Sequence, residues 1–252
     1  MTGRQGFKDH FSQTASAYAA QRPRYPLELA RYLAELAPAR RRAWDAGCGS
    51  GQMSLLLAEH FARVVATDAS AEQLAHATQD TRVVYVRARA EQSGVASRST
   101  ELAVSAQAAH WFDLPAYFTE IRRVVRRGGI IALAGYGNMA VMPRIDAVVS
   151  HFYYDVVGPF WPPERQMVED AYRSIEFPFR ETQAPEFQMM ADWNLEQVLG
   201  YIGTWSAVWR IRKERGPEPF AEFRTRMAEA WGTPATVRRI VWPLALRVGV
   251  VD

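Results

Sequence analysis

The sequence predicts a doubly wound α/β sheet of about seven strands, with a helical, aromatic-rich insertion after the fifth. Short β-branched runs alternate with stretches of helical spacing from residue 40 to 136. A glycine-dense turn, AWDAGCGSGQ at 43–52, follows the first of these runs, where open α/β sheets hold ligands. After Gly137 the alternation breaks and aromatic residues accumulate.

Each element has its own reason. LELARYLAEL, from Leu27, places apolar residues at helical spacing. AWDAG is a buried strand running into the glycines, and SLLLAEHFA after it is a helix. RVVATD (63–68) is the second strand. SAEQLAHATQ opens on Ser70 with Gln73 three residues on, the pattern of a capping box. RVVYVRA (82–88) and ELAVSAQ (101–107) are strands three and four. LPAYFTEIRRVVRR is a helix stopped by Gly128-Gly129, and IIALAGYG is strand five. Residues 138–176 suggest one or two helices broken by GPFWPPE, and EFQMMADW (186–193) a strand. Helices are expected around 194–214 and 217–231. VRRIVWPLALRVGVV supplies the closing strand, where Pro243 implies an edge or a break.

The 252 residues suit one domain. It divides into an N-terminal helical cover (1–39), a cofactor-binding core (40–137), an inserted lid (138–180) and completion of the sheet (181–252). No run approaches the ~18–20 apolar residues of a membrane span, and MTGRQGFKDHFSQ holds no apolar secretory signal. A single cysteine, Cys48, excludes an internal disulfide framework, and no Cys/His cluster has metal-ligand spacing. A soluble cytoplasmic protein without a metal is expected. The net charge is +3, with 28 arginines against 2 lysines. The basic runs ARRR (39–42) and RRVVRR (122–127) are too short to make the stripe a nucleic-acid binder needs.

The turn has glycines at 47, 49 and 51, with Gln52 where a nicotinamide dinucleotide fingerprint needs its third glycine, and no Walker G-K-[ST] follows. The D-x-G-x-G-x-G spacing lets backbone approach a ligand closely. Asp68, ending strand two, is placed to accept hydrogen bonds from ribose hydroxyls. Cys48, among these glycines, reads as a small filler rather than a nucleophile.

DAGCGSG with VVATDAS downstream resembles the class I S-adenosylmethionine-dependent methyltransferases, over residues 40–136. That resemblance implies a Rossmann-like methyltransferase fold with S-adenosylmethionine as cofactor and S-adenosylhomocysteine as product. It implies that Asp45, Gly47, Gly49 and Gly51 cradle the methionine half, while Asp68, with Ala69 beside it, takes the ribose. Ala90 and Glu91 fall at the adenine contacts, although Asp is commoner in the family at position 90. SAQAAHWFD (105–113) and YAAQRPRYP (18–26) are similar to a narrower group, small-molecule enzymes related to the trans-aconitate methyltransferases. By that likeness Tyr18 and Arg22 approach the cofactor and Gln107 sits under its methionine half.

The expected acceptor is a small molecule, through a carboxylate or hydroxyl oxygen. Ser105-Ala106-Gln107-Ala108 stands where a nucleobase or amide N-methyltransferase carries [DNS]-P-P-[YF]. A carboxylate needs an orienting cation, for which Arg24, Arg144 and Arg180 are candidates. A hydroxyl, thiol or amine needs a general base, and His110 is the candidate. Trp111, Tyr136, Tyr153 and Trp161 complete the expected acceptor site, with Phe152, Tyr154, Phe160, Trp205 and Trp209 adding aromatic surface. The rival readings are an RNA methyltransferase and a non-catalytic S-adenosylmethionine-binding or interaction protein.

Overall fold

The computed structural model describes residues 22–252. Helix α1 (Leu27–Leu36) precedes β1 (Arg42–Ala46), α2 (Gln52–Ala58), β2 (Arg63–Asp68), α3 (Ala71–Ala75), β3 (Val83–Arg87) and β4 (Thr100–Ala106). A 3-10 turn (Ala109–Trp111) leads into α4 (Leu114–Val124) and β5 (Val125–Tyr136). The chain then passes through α5 (Pro143–Ser150), a π-helical turn (His151–Val156), a 3-10 turn (Gly158–Phe160) and α6 (Arg165–Glu169). Strands β6 (Arg180–Thr182) and β7 (Phe187–Trp193) follow. Helices α7 (Leu195–Gly203), α8 (Ser206–Arg215) and α9 (Glu218–Trp231) come next, then β8 (Arg238–Val250).

Among the described residues the sheet has eight strands, in the order β3-β2-β1-β4-β5-β8-β6, with β7 also on β8. β1 to β5 are parallel, and β8 runs antiparallel to β5. β6 and β7 pair with opposite ends of β8, Arg180 with Val250 and Trp193 with Arg238, so two short strands share one edge of a long one. This is the doubly wound sheet expected: the sixth strand of the sequence reading is β7 and the closing strand is β8, while the short strand β6 is an addition the sequence reading lacked. The reversal of strand order lies at β1 and β4, where such sheets bind ligands.

Both faces are covered, which explains why β4 is buried almost throughout. One face packs on α1, α2 and the helices after β5 and β7, through Leu33, Leu57, Phe152, Tyr201 and Trp242. The other packs on α4 and the segment around α6, through Tyr117, Ile121 and Tyr172.

Three local expectations need correction. Helix α4 stops at Val124, not at the glycines, because Val125 already pairs with Thr100. The register then jumps to Leu102 with Ile130, leaving a bulged start to β5 in which Gly128 adopts φ 74° and donates to the Val251 carbonyl. The capping box at α3 is only half built: Ser70 Oγ accepts the Gln73 N–H, but Gln73 Oε1 does not return to the Ser70 N–H. Asp68 Oδ1 takes that donor instead. Pro243 lies inside a two-edged strand, in the gap between the Tyr136–Leu244 pair and the isolated Ala140–Val241 bridge. The basic runs are committed to structure: Arg41 and Arg126 pair with buried Glu101, Arg123 with Glu120, and Arg122 lies over the Phe179 ring.

Candidate functional site

The β1–α2 turn is shaped by left-handed backbone at Gly47, Gly49 and Gly51, with φ 72°, 56° and 88°. Two of the three glycines are required by the protein itself. A Cβ on Gly47 would lie 2.5 Å from Ala108 Cβ, and one on Gly51 would overlap the Tyr85 phenol, 2.9 Å from Cζ. Only Gly49 opens away from protein, with Gln73 Oε1 the nearest atom at 3.7 Å. The concave face therefore centres on Gly49, and the contact between Gly47 and Ala108 presses this turn against the loop after β4.

Acceptor groups surround that face. Asp68 Oδ2 takes the Gly49 N–H and Oδ1 the Ser70 N–H, each at 2.8 Å, which fixes the carboxylate at the end of β2. Ala69 follows it, its carbonyl held by Arg87 Nε. Asp45, fully buried in β1, accepts Ser54 Oγ at 2.6 Å through Oδ2, while its Oδ1 has no partner among the described residues. Burial drives the Asp45 pKa up to about 7, with the Asp68 charge adding to the rise. Gln73 Oε1 is a second buried acceptor without a partner among the described residues. Orphan acceptors beside a glycine cradle suit a ligand carrying hydrogen-bond donors or positive charge. S-adenosylmethionine, with its ammonium and sulfonium groups, fits that donor set. Cys48 is buried, donates weakly to the Gly49 carbonyl, and has its thiol pKa pushed far up by burial, so it stays a neutral filler.

At the third strand's end Ala90 is buried, and the Glu91 side chain is already engaged, by the Asp113 N–H at 2.9 Å and by Arg89. Gln107 adopts φ 57° and ties β4 to β5: its Oε1 accepts the Tyr136 N–H and its Nε2 donates to the Tyr136 carbonyl.

Next to this tie, at the carboxyl ends of β4 and β5, lies a cavity lined by Arg22, Gln107, His110, Trp111, Tyr136 and Gly137 from the core. Tyr153, Trp161, Pro162, Arg165, Tyr201, Trp205 and Ser206 close it from the helical layer. Arg22 donates to Tyr136 Oη at 3.2 Å and lies over the Tyr201 ring. His110 is buried against Tyr172, Nδ1 to Oη 3.0 Å. Burial, reinforced by the Arg165 charge, lowers its pKa to about 3, so the imidazole is neutral near pH 7. Arg165 is mostly buried, and its Nε donates to Tyr153 Oη at 2.8 Å and to Glu169 Oε1 at 3.0 Å.

Of the expected acceptor residues, Trp111, Tyr136, Tyr153 and Trp161 do meet in this cavity. The three candidate arginines do not. Arg24, Arg144 and Arg180 are all exposed, and none lines it: Arg144 reaches toward the Trp231 carbonyl, and Arg180 lies on the edge strand β6. Tyr18 lies outside the described residues. Among the aromatic residues, Phe152 stacks on Phe223 in the core, while Tyr154 and Trp209 face outward. Sequence reasoning missed Arg165 and Gln73. The first had a legible signal, the Arg165–Glu169 spacing of four residues directly after WPP, where a helix turn pairs them. Among the described residues no cluster of His, Cys, Asp or Glu could hold a metal, and no helix is long and apolar enough to cross a membrane.

Residues 44–133 match the family model for a methyltransferase domain. The chain is 31% identical over 231 residues to a Dictyostelium discoideum protein named as a methyltransferase, covering 90% of this chain and 88% of that one. A solved structure from Anaeromyxobacter dehalogenans, named as a type II methyltransferase, is 46% identical, with a TM-score of 0.86. That likeness covers 91% of this chain and 98% of that one. A malonyl-acyl-carrier-protein O-methyltransferase of Enterobacter lignolyticus is 37% identical over 128 residues, 47% of this chain and 51% of that one.

Proposed function

This chain belongs to the class I S-adenosylmethionine-dependent methyltransferases, and on that premise we propose that it methylates a carboxylate oxygen of a small molecule held in the cavity. One observation carries the reading. The cavity wall combines two guanidinium groups, Arg22 and Arg165, with a neutral imidazole, and no carboxylate or lysine lines it among the described residues. Such a wall attracts an anion and lacks a side chain tuned to take a proton near neutral pH. A carboxylate is already ionised there and needs no base.

In this reading Asp45, Gly49, Asp68, Ala69 and Gln73 hold S-adenosylmethionine, with Ala90 and Glu91 at its adenine end. When bound, it supplies a methyl group on a sulfonium whose charge vanishes on transfer to an anionic oxygen. The residues contribute alignment and exclusion of water. Gln107 holds the ends of β4 and β5 at a fixed separation, which fixes the cavity floor relative to the glycine turn. His110 serves as a neutral hydrogen-bonding wall rather than as a base, since its proton affinity is too low for that task. Trp111, Trp161 and Trp205 shield the site from water. The O-methyltransferase among the similar proteins and the likeness of residues 105–113 to the trans-aconitate group both support an oxygen acceptor.

The test offers S-adenosylmethionine labelled in its methyl group to the protein with a panel of small acids, phenols and amines, then treats the products with base. Volatile labelled methanol, arising only with the acids, is the expected result. Label retained on a base-stable product would overturn the carboxylate reading.

A further inference from the structure

Arg165 differs from the other arginines in how its donors are used. Its side chain is only 15% exposed, yet only Nε has hydrogen-bond partners among the described residues, Tyr153 Oη and Glu169 Oε1. The two terminal nitrogens make none, and the side chain lines the cavity. Trp161 and Tyr153 flank the guanidinium, their ring centroids 5.0 and 5.7 Å from Cζ. A guanidinium this deep costs free energy unless its donors are met, and an open planar fork matches the two oxygens of a carboxylate.

We infer that Arg165 is the anchor of the acceptor's carboxylate, and that Tyr153 and Glu169 are positioning residues that aim its fork into the cavity. This rests on the acid-acceptor reading above. Glu169 Oε1 receives both Arg165 Nε and Tyr153 Oη, and Tyr154 reaches its other oxygen at 3.5 Å. Shared in this way, Glu169 engages the side of the guanidinium without occupying the fork. Tyr153 Oη donates to Glu169 and accepts from Arg165, so it braces the pair from the cavity side. Among the described residues, the other charged or titratable groups on the cavity wall are Arg22, neutral His110, Tyr136 and Tyr201, none of which neutralises the fork. A methyl ester carries no charge, so the fork holds substrate more tightly than product.

The test titrates acetate, benzoate and succinate, and the corresponding amides, into the full chain saturated with S-adenosylhomocysteine, with heat of binding as readout. At least one acid is expected to bind tenfold or more tightly than its amide. Arg165→Gln and Arg165→Lys, the second keeping the cation without the fork, should each lose that preference by tenfold or more while amide binding is unchanged. Glu169→Gln should raise the acceptor KM severalfold with kcat little changed. The inference is overturned if no acid is preferred over its amide, or if Arg165→Lys, folded by circular dichroism, keeps the wild-type preference. Methyl esters formed with an unchanged KM in Arg165→Lys would remove the anchor and leave the acid-acceptor reading intact. Arg165-dependent acid binding without ester formation would do the reverse.

Discussion

Asp45 and Asp68 stand at adjacent strand ends, and their environments divide the work between them. Asp68 has both oxygens on backbone N–H groups, one from the glycine turn and one from its own, whereas Asp45 is fully buried with one oxygen unmet among the described residues. With a folded-state pKa of about 7 against an ordinary ~3.9, Asp45 binds its proton more tightly in the folded chain. Its contribution to stability is therefore present below about pH 4 and lost as pH rises toward about 7. A cationic cofactor favours the ionised form, so S-adenosylmethionine should bind more tightly at pH 8 than at pH 6, by up to on the order of tenfold. Calorimetric titration at both pH values checks this, and Asp45→Asn should flatten the difference. The glycine turn and Asp68 stood out by their spacing, and Asp45 by the family resemblance of that motif. For Arg165 the sequence held only the four-residue spacing to Glu169; its place in the cavity depends on the fold bringing it to Gln107 and Tyr136, and any of the 28 arginines could have held it.

At the scale of elements, α6 ends in a motif whose residues do not match its backbone. Ala171 and Tyr172 are both left-handed, with φ 58° and 61°. The Ala171 N–H returns to Val168 and the Tyr172 N–H to Met167, the paired bonds that close a helix with a left-handed residue. Glycine is favoured at the first of these positions, but here it is alanine. The tight fit of the Tyr172 ring against Gly135, 2.8 Å from a Cβ placed there, and its bond to His110 hold the conformation. Ala171→Gly relieves a penalty of ~1–2 kcal/mol and loses ~0.4–1 kcal/mol through the freer unfolded chain. The net expectation is a gain of ~0.5–1 kcal/mol, measured by urea unfolding, with turnover unchanged. Nothing in the sequence announces this cap, since no glycine marks it. The end of α4 misled for the opposite reason: Gly128-Gly129 reads as a helix stop, yet the pairing of Val125 with Thr100 had already turned the chain into strand.

Across the whole molecule, the parallel half was plain from alternation of strand and helix, because βαβ units keep their periodicity local. The second half was harder, because two helical segments, one after β5 and one between β7 and β8, merge into a single layer: Phe152 of the first packs on Phe220 and Phe223 of the second. The cavity lies between that layer and the sheet, with Tyr153, Trp161 and Trp205 in mutual contact on the layer side. A cofactor bound only by the folded chain stabilises it by mass action, about 2.7 kcal/mol at a hundredfold excess over Kd. Thermal unfolding should accordingly shift upward by roughly 5–10 °C with S-adenosylhomocysteine. Asp68→Ala should reduce that shift. The pairing of β8 between β5 on one side and β6 and β7 on the other also has a consequence in time. β8 leaves the ribosome after every element it joins, so the apolar edge of β5 and both short strands wait unpaired while α7 to α9 are made. Such edges recruit other chains. The yield of native protein should be decided in that interval, and a chaperone that shields β5 would act there rather than on the finished fold.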